Sequence, residues 1–381
     1  MKNSLIPTPA MLHPSLSRIA TRPSDFFQRM NQYASNISRQ IKNPEFKLTI
    51  LIGLHSADLP HNVNDIYPYL QVIRVSDPTL NFRNFAKQCS IVLAKYEIKP
   101  NILVAGDATL GLMSCLYLRL IKECKSQIQI SIHGSFFGET SNFLSYSKSL
   151  IRIWLLRLSL PHVESVRVVS PQVKQEMIKR FRVDPKRIFI APIPFETYPE
   201  FQIRDFQSAT IGVIGRFHSE RNLDEILEIL EVVSRNSKVS SVIFIGSGPL
   251  KQKVVVWKSR SANPEKINLI GSIPHIEVLN RLSKIDIVLS AARSEGYGLA
   301  IRESLLSGAV VIARENEGTK LIKETFKSGI YLYESVTEAI HIITNLLVGV
   351  VKPNLCVEGR GIQQKIDDES LKRICESWTS I

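Results

Sequence analysis

At 381 residues the chain is too long for one simple core and is sized for two domains. Hydrophobic residues at 44% and charged residues at 22% exclude a disordered or fibrous protein, while five scattered cysteines without a C-x-x-C (Cys89, Cys115, Cys124, Cys356, Cys375) argue against a disulfide framework or structural zinc. A net charge of +13 asks for an anionic partner, either a phosphate-bearing substrate or a membrane surface; no nucleic acid is expected, because no basic tract with interleaved aromatics occurs.

The N-terminus, Met1-Lys2-Asn3-Ser4-Leu5-Ile6-Pro7, meets proline before any signal-peptide core forms, and no run approaches the roughly 18 apolar residues of a membrane span. The expectation is a soluble or peripheral protein in a reducing cytoplasm.

Residues 1–23, rich in Pro, Ser and Thr, lack a period and read as a loose or edge segment. Ser24-Asp25 then caps an amphipathic helix whose apolar face is Phe26, Phe27, Met30, Tyr33, Ile37 and Ile41. Strands are expected at 46–53 and 71–75, a helix at 81–96, a strand at 101–106, a helix at 110–123 and a strand at 128–134. That alternation implies a parallel sheet covered on both faces.

The stretch 149–160 is apolar but carries Arg152 and Arg157. It either lies on a membrane surface, with Trp154 at the interface, or packs on the sheet with its arginines snorkelling outward. A strand at 165–170, a helix at 171–181 and a short strand at 187–190 follow, and Pro192, Pro194 and Pro199 stiffen a linker at 191–200.

The second half starts afresh with a strand at 210–216 and a helix at 223–234. A strand at 241–245 ends on Gly246-Ser247-Gly248-Pro249, and further on come a strand at 267–270, a helix at 275–282 and a strand at 285–289. A strand at 310–312, helices near 319–326 and 336–348, and a last helix at 367–378 complete the pattern. Two α/β domains in tandem put their ligand sites beyond the carboxyl ends of the strands, so the expected place is a cleft between the two.

The richest stretch is Ser290 to Glu303, in which Glu295-Gly296-Tyr297-Gly298-Leu299 follows a strand and opens a helix. Such a helix mouth turns backbone N–H groups toward an anion; an ordinary acidic first turn is the alternative. Gly215-Arg216 ends an earlier strand and Arg221 lies five residues on, two guanidinium forks suited to a diphosphate. Gly246-Ser247-Gly248 is a weak phosphate signature, because Lys251 stands where G-x-G-x-x-G has its third glycine, and a tight turn without ligand explains it equally well.

In order and spacing these elements, with Asn222, Ile270-Gly271, Asp286 to Ser290 and Gly308 to Ile312, resemble the C-terminal half of the retaining glycosyltransferases of family 4 (glycosyltransferase group 1), which have the GT-B fold. The likeness is specific over 210–332; the first half matches only in layout, in His133-Gly134 after a strand and in Val169-Ser170-Pro171 before a helix. It implies an α/β protein of two facing Rossmann-like domains with parallel sheets and a cleft between them: 1–200 on the acceptor side, 201–355 binding nucleotide-sugar, and 356–381 crossing back toward the first domain.

The same resemblance implies the roles. Arg216 and Arg221 hold the donor diphosphate and stabilise the leaving group, with Arg221 where the family usually has lysine. Glu303 takes the ribose hydroxyls, Glu295 contacts the donor sugar, and His133 reaches that sugar from the first domain, a structural histidine being the alternative there. Gly215, Gly246, Gly248, Gly296, Tyr297, Gly298 and Leu299 form the donor-binding backbone. No metal or cofactor is expected, since no Asp-x-Asp pair ends a strand; the nucleotide diphosphate sugar is the donor substrate.

Three departures concern the acceptor side. The usual first strand and glycine loop are missing, with Ser4-Leu5-Ile6 at best a stub and no glycine in 7–25, so either the first strand is shortened and rebuilt or the acceptor site differs. Pro192-Ile193-Pro194-Phe195 replaces an Asn-Gly, and Lys320 replaces a glutamate. The reading is a retaining hexosyltransferase-like enzyme of polysaccharide or lipopolysaccharide biosynthesis, taking a saccharide or lipid-linked acceptor. It is cytoplasmic or peripheral on the inner face of the cytoplasmic membrane, touching an anionic surface there. A degenerate, non-catalytic GT-B protein serving as a binding or assembly partner is the alternative.

Overall fold

The computed structural model describes residues 9–13, 23–53, 63–75, 81–122, 125–133, 143–195, 197–204 and 206–379. Ser4-Leu5-Ile6, Cys124, Gly134 and the side chain of Arg152, named above, lie outside what is described. Described residues within 1–136, 147–196 and 366–381 cluster as one unit, and those within 137–146 and 197–365 as a second.

The first unit is built on a seven-stranded parallel sheet of order β3-β2-β1-β4-β5-β6-β7. Its strands are β1 (Pro9–His13), β2 (Leu48–Ile52), β3 (Leu70–Arg74), β4 (Ile102–Ala105), β5 (Gln127–Ile132), β6 (Ser165–Val168) and β7 (Ile188–Ile190). Every residue of β2 and β4 is buried, the mark of strands covered on both faces. Between them run α1 (Pro23–Gln40), α2 (Val63–Ile66), α3 (Phe82–Lys95), α4 (Leu110–Lys122), α5 (Phe143–Ser159) and α6 (Pro171–Phe181).

The opening segment corrects the reading of a loose or edge stretch. Pro9–His13 is a strand in the middle of the sheet, paired with β2 from Ala10 to His13 and with β4 from Pro9 to Leu12. Only five residues long, it is too short to show a period, yet Ala10 and Leu12 are fully buried.

The second unit holds a six-stranded parallel sheet, β10-β9-β8-β11-β12-β13, made of β8 (Ala209–Ile214), β9 (Val239–Ile245), β10 (Ile267–Gly271), β11 (Ile287–Ser290), β12 (Val310–Arg314) and β13 (Ile330–Tyr333). Its helices are α7 (Leu223–Val233), α8 (Lys251–Arg260), α9 (His275–Leu282), α10 (Leu299–Leu306), α11 (Glu317–Phe326) and α12 (Val336–Val348). Strand order runs outward from β8 one way and from β11 the other, so the switch point, where such sheets bind ligands, lies between these two strands.

One helix, α13 (Gly359–Thr379), serves both units: its residues to 365 cluster with the second, and from 366 with the first. In the first, Leu371, Ile374, Cys375 and Trp378 enter the core with Phe27, Tyr33 and Ile50, and the Trp378 indole N–H donates to Gln129 Oε1 at 2.9 Å.

Candidate active site

The carboxyl end of β8 turns on Gly215, whose N–H donates to Ile245 O at 3.0 Å. Arg216 and Phe217 follow, then a single tight turn, Ser219–Arg221, and Asn222 in the left-handed region leads into α7. Phe217 is buried edge-on against Phe244, and the adjoining end of β9 packs so closely that a Cβ on Gly246 (φ +143°) would sit 1.9 Å from Gly215 O. That approach accounts for a glycine at 246 without any ligand. The β8 end and residues 289–291 line a shallow, open hollow at the switch point.

Across it, β11 runs into the loop that carries Glu295. Several contacts fix this loop from behind. Asn316, the N-cap of α11, donates from Nδ2 to Ala292 O at 2.9 Å, and Gly318 lies so close that a Cβ there would be 2.0 Å from Glu295 O. Gly298 (φ +73°) then starts α10, with room for no side chain beside Ile322. Arg302 is 4% exposed, stacks 4.2 Å from the Tyr297 ring, and donates from Nε to Tyr297 O at 3.0 Å.

The two ends meet in an ion pair. Arg221 Nη1 donates to Glu295 Oε2 at 2.7 Å, with Glu295 only 8% exposed. Arg221 Nε is buried and donates to nothing among the described residues. A buried guanidinium N–H without an acceptor costs free energy that an incoming oxygen would recover. One helical stretch along, Glu303 is buried, and its Oε1 lies 2.7 Å from His275 Nε2 at the start of α9.

The structure therefore brings Gly215, Arg221, Glu295, Gly296, Gly298, Leu299 and Glu303 together around one sheet edge. Arg216 stands in solvent, its side chain 76% exposed and paired with Glu220 at 2.9 Å. Tyr297 does not present its ring: the side chain is buried under Arg302, and its hydroxyl accepts from Gln363 Nε2 at 2.9 Å. Gly248, like Gly246, packs on the β8 loop, and Lys320 pairs with Glu315 at 2.8 Å. His133 belongs to the first unit, where it follows β5 with an exposed side chain.

Sequence reasoning missed His275, Gln363 and the cluster around Glu225. His275 is the partner of Glu303, and Gln363 bridges Tyr297 and Arg302. Behind the sheet edge, Glu225 accepts from Tyr333 Oη at 2.9 Å, Arg314 Nη1 at 2.7 Å and Asn222 Nδ2 at 2.7 Å, tying α7 to β12 and β13. Burial and this carboxylate push the Tyr333 hydroxyl well above its ordinary pKa.

Residues 195–347 match the family model described as glycosyl transferases group 1. The likeness to that family lies in this part of the chain. Among curated relatives, the phosphatidylinositol N-acetylglucosaminyltransferase GPI3 subunit of Saccharomyces cerevisiae (strain YJM789) is 24% identical over 240 residues, covering 58% of this chain and 52% of the relative. The alpha-monoglucosyldiacylglycerol synthase of Acholeplasma laidlawii is 23% identical over 198 residues, 48% of this chain and 49% of that protein. The chain thus spans about half the length of the curated relatives it matches.

The crystal structure of Anabaena Alr3699/HepE in complex with UDP and glucose shares 12% identity and covers 99% of this chain and 100% of its own, with a TM-score of 0.73. With two parallel sheets flanked by helices, this is the two-domain α/β GT-B fold. Both sheets keep the GT-B layout although β1 here begins only at Pro9.

Proposed function

We propose that the chain moves a sugar from a nucleotide diphosphate sugar to a lipid-borne acceptor, with retention at the anomeric carbon. The observation that carries this reading is the Arg221–Glu295 pair with its orphaned Arg221 Nε, set at the switch point within the stretch that matches the group 1 family. Arg221 and the solvent-facing Arg216 neutralise the diphosphate as it departs, placing positive charge where negative charge develops and leaving no need for a metal. Glu303 takes the ribose hydroxyls, with His275 holding its carboxylate, and Glu295 takes hydroxyls of the transferred sugar. Retention would follow if the acceptor attacks from the face the diphosphate leaves, the departing phosphate oxygen accepting its proton.

A lipid acceptor is favoured over a plain saccharide because two groups of relatives carry phosphatidylinositol and monoglucosyldiacylglycerol in their names. Such an acceptor asks the enzyme to work at a membrane face, with basic charge toward the lipid. Polysaccharide or lipopolysaccharide assembly is one setting for it. The word "subunit" in the yeast relative's name favours a second reading, a partner that binds without turning over.

The test is a panel of UDP-, GDP- and ADP-sugars, read first by thermal shift and then by radiolabelled transfer. A ligand at a hundred times its Kd adds about 2.7 kcal/mol of stability. Binding lost in Glu295→Ala and Arg216→Ala supports the donor site; binding with no transfer supports the second reading, and no binding at all ends both.

A further inference from the structure

Helix α5 leaves an apolar stripe in the open. Leu150, Ile151, Trp154 and Leu158 are 47%, 58%, 60% and 53% exposed, while Leu156 and Ser159 on the other side are buried. Positions 150, 154 and 158 lie at i, i+4 and i+8, and 151 is one turn from 154, so the four form one face. The sequence left open whether this helix packs on the sheet or faces lipid. One side of it is buried and the opposite side is open.

The surroundings of the stripe are basic. Arg157 Nη2 donates to Arg180 O at 3.1 Å and its guanidinium lies 5.9 Å from the Phe181 ring, which seats the end of α6 beside the second half of α5. Lys179, Arg180, Arg182 and Lys186 are exposed there, and Arg187 Nη2 donates to Leu160 O at 2.6 Å just past the end of α5. Over residues 148–187 ten Lys and Arg face three Asp and Glu, a net of +7 within a chain whose total is +13. Of these, Arg157, Lys179, Arg180, Arg182 and Lys186 are exposed beside the ends of α5 and α6.

We infer that this face of α5, with the basic end of α6, is a docking surface for an anionic lipid bilayer. A bilayer answers both features, since aliphatic and tryptophan side chains enter the boundary between headgroups and acyl chains while arginines and lysines remain among lipid phosphates. Trp154 suits that boundary because its ring is largely apolar and its N–H needs a polar neighbour. Among the described residues no helix is long and apolar enough to cross a membrane, so the contact would be with the surface.

The experiment uses the full chain without donor or acceptor, so its failure leaves the transferase reading untouched. Flotation is measured with phosphatidylcholine vesicles and with vesicles that also contain phosphatidylglycerol. Trp154 fluorescence reports the contact, because Trp257 packs on Phe244 and Trp378 is buried. The chain is expected to float with the anionic vesicles only, with a blue-shifted Trp154 signal. Partition is expected to fall about tenfold or more in Lys179→Gln/Arg180→Gln and in Trp154→Ser/Leu158→Ser, both keeping the wild-type thermal unfolding. Flotation unchanged in both variants, no flotation of the wild type, or a concentration-dependent dimer abolished by Trp154→Ser/Leu158→Ser would overturn the inference, the last assigning the stripe to a second copy of the chain.

Discussion

Arg221 and Glu295, 74 residues apart, close on each other at 2.7 Å over the gap between β8 and β11. A ligand phosphate reaching Arg221 must share or replace this carboxylate. Glu295→Gln keeps the shape but removes the competing charge, so nucleoside diphosphate alone is expected to bind as tightly as in the wild type or more tightly. Transfer of the sugar is expected to fall. Arg221→Lys keeps the charge and loses the fork, and should weaken the same nucleotide about tenfold, on the order of 1.4 kcal/mol. Calorimetry and a radiolabelled transfer assay on both variants separate the two effects.

The Glu303–His275 contact makes a different prediction, because Glu303 is proposed to take the ribose hydroxyls and not the phosphates. His275→Ala removes a hydrogen-bond partner from a buried carboxylate and should weaken UDP or its counterpart about tenfold. Affinity for inorganic pyrophosphate should stay as it is. His275→Gln, which can still donate, should recover most of the loss; equal weakening of both ligands would place the defect elsewhere.

Backbone packing at the strand ends can be tested on stability alone. Gly246→Ala drives a methyl into Gly215 O at 1.9 Å, and the chain must open the β8–β9 ends to accept it. A loss of about 3 kcal/mol or more is expected by urea unfolding. Gly349→Ala, also at positive φ but with nothing within 4 Å, should cost only about 1 kcal/mol.

The Tyr333 hydroxyl, buried and bonded to Glu225, has its pKa raised in the folded state. Stability from a raised pKa is complete below the unfolded value, about 10 for tyrosine, and is lost as pH climbs above it. The wild type should therefore lose stability above pH 10 by up to about 1.4 kcal/mol per pH unit more than Tyr333→Phe does. The buried thiols of Cys356 and Cys375, also raised by burial, contribute equally in both proteins and cancel. At neutral pH the variant should be about 1–2 kcal/mol less stable, because Glu225 loses a donor.

Most of the fold was legible because its elements announce their ends. The helices 171–181, 275–282 and 336–348 start and stop where spacing placed them, and Ser170 and Ser335 cap the first and last through Val173 N–H and Glu338 N–H. Strand β13 was not expected: Ile330-Tyr331-Leu332-Tyr333 is an apolar run of only four residues, too short for its period to separate a strand from a helix. Strand β1 escaped for the same reason of length. Within the site, the glycines and acids of the 295–303 stretch stood out as local pattern. The pairings did not, since Arg221 to Glu295, His275 to Glu303 and Gln363 to Tyr297 join loops and helices far apart in the chain and leave no period. Tyr297 was expected to contribute its backbone, and Arg302, five residues on, and Gln363 hold its ring inward.

Helix α13 has a consequence for the order in which the molecule is made. Domains are ordinarily finished in the order in which the ribosome releases them. Here the sheet of the first unit is translated early, but Leu371, Ile374, Cys375 and Trp378, which complete its core, come more than 170 residues after β7 closes at Ile190. The second unit, complete by residue 365, can fold while the first still exposes the apolar groove that awaits α13. The half begun first is thus sealed last.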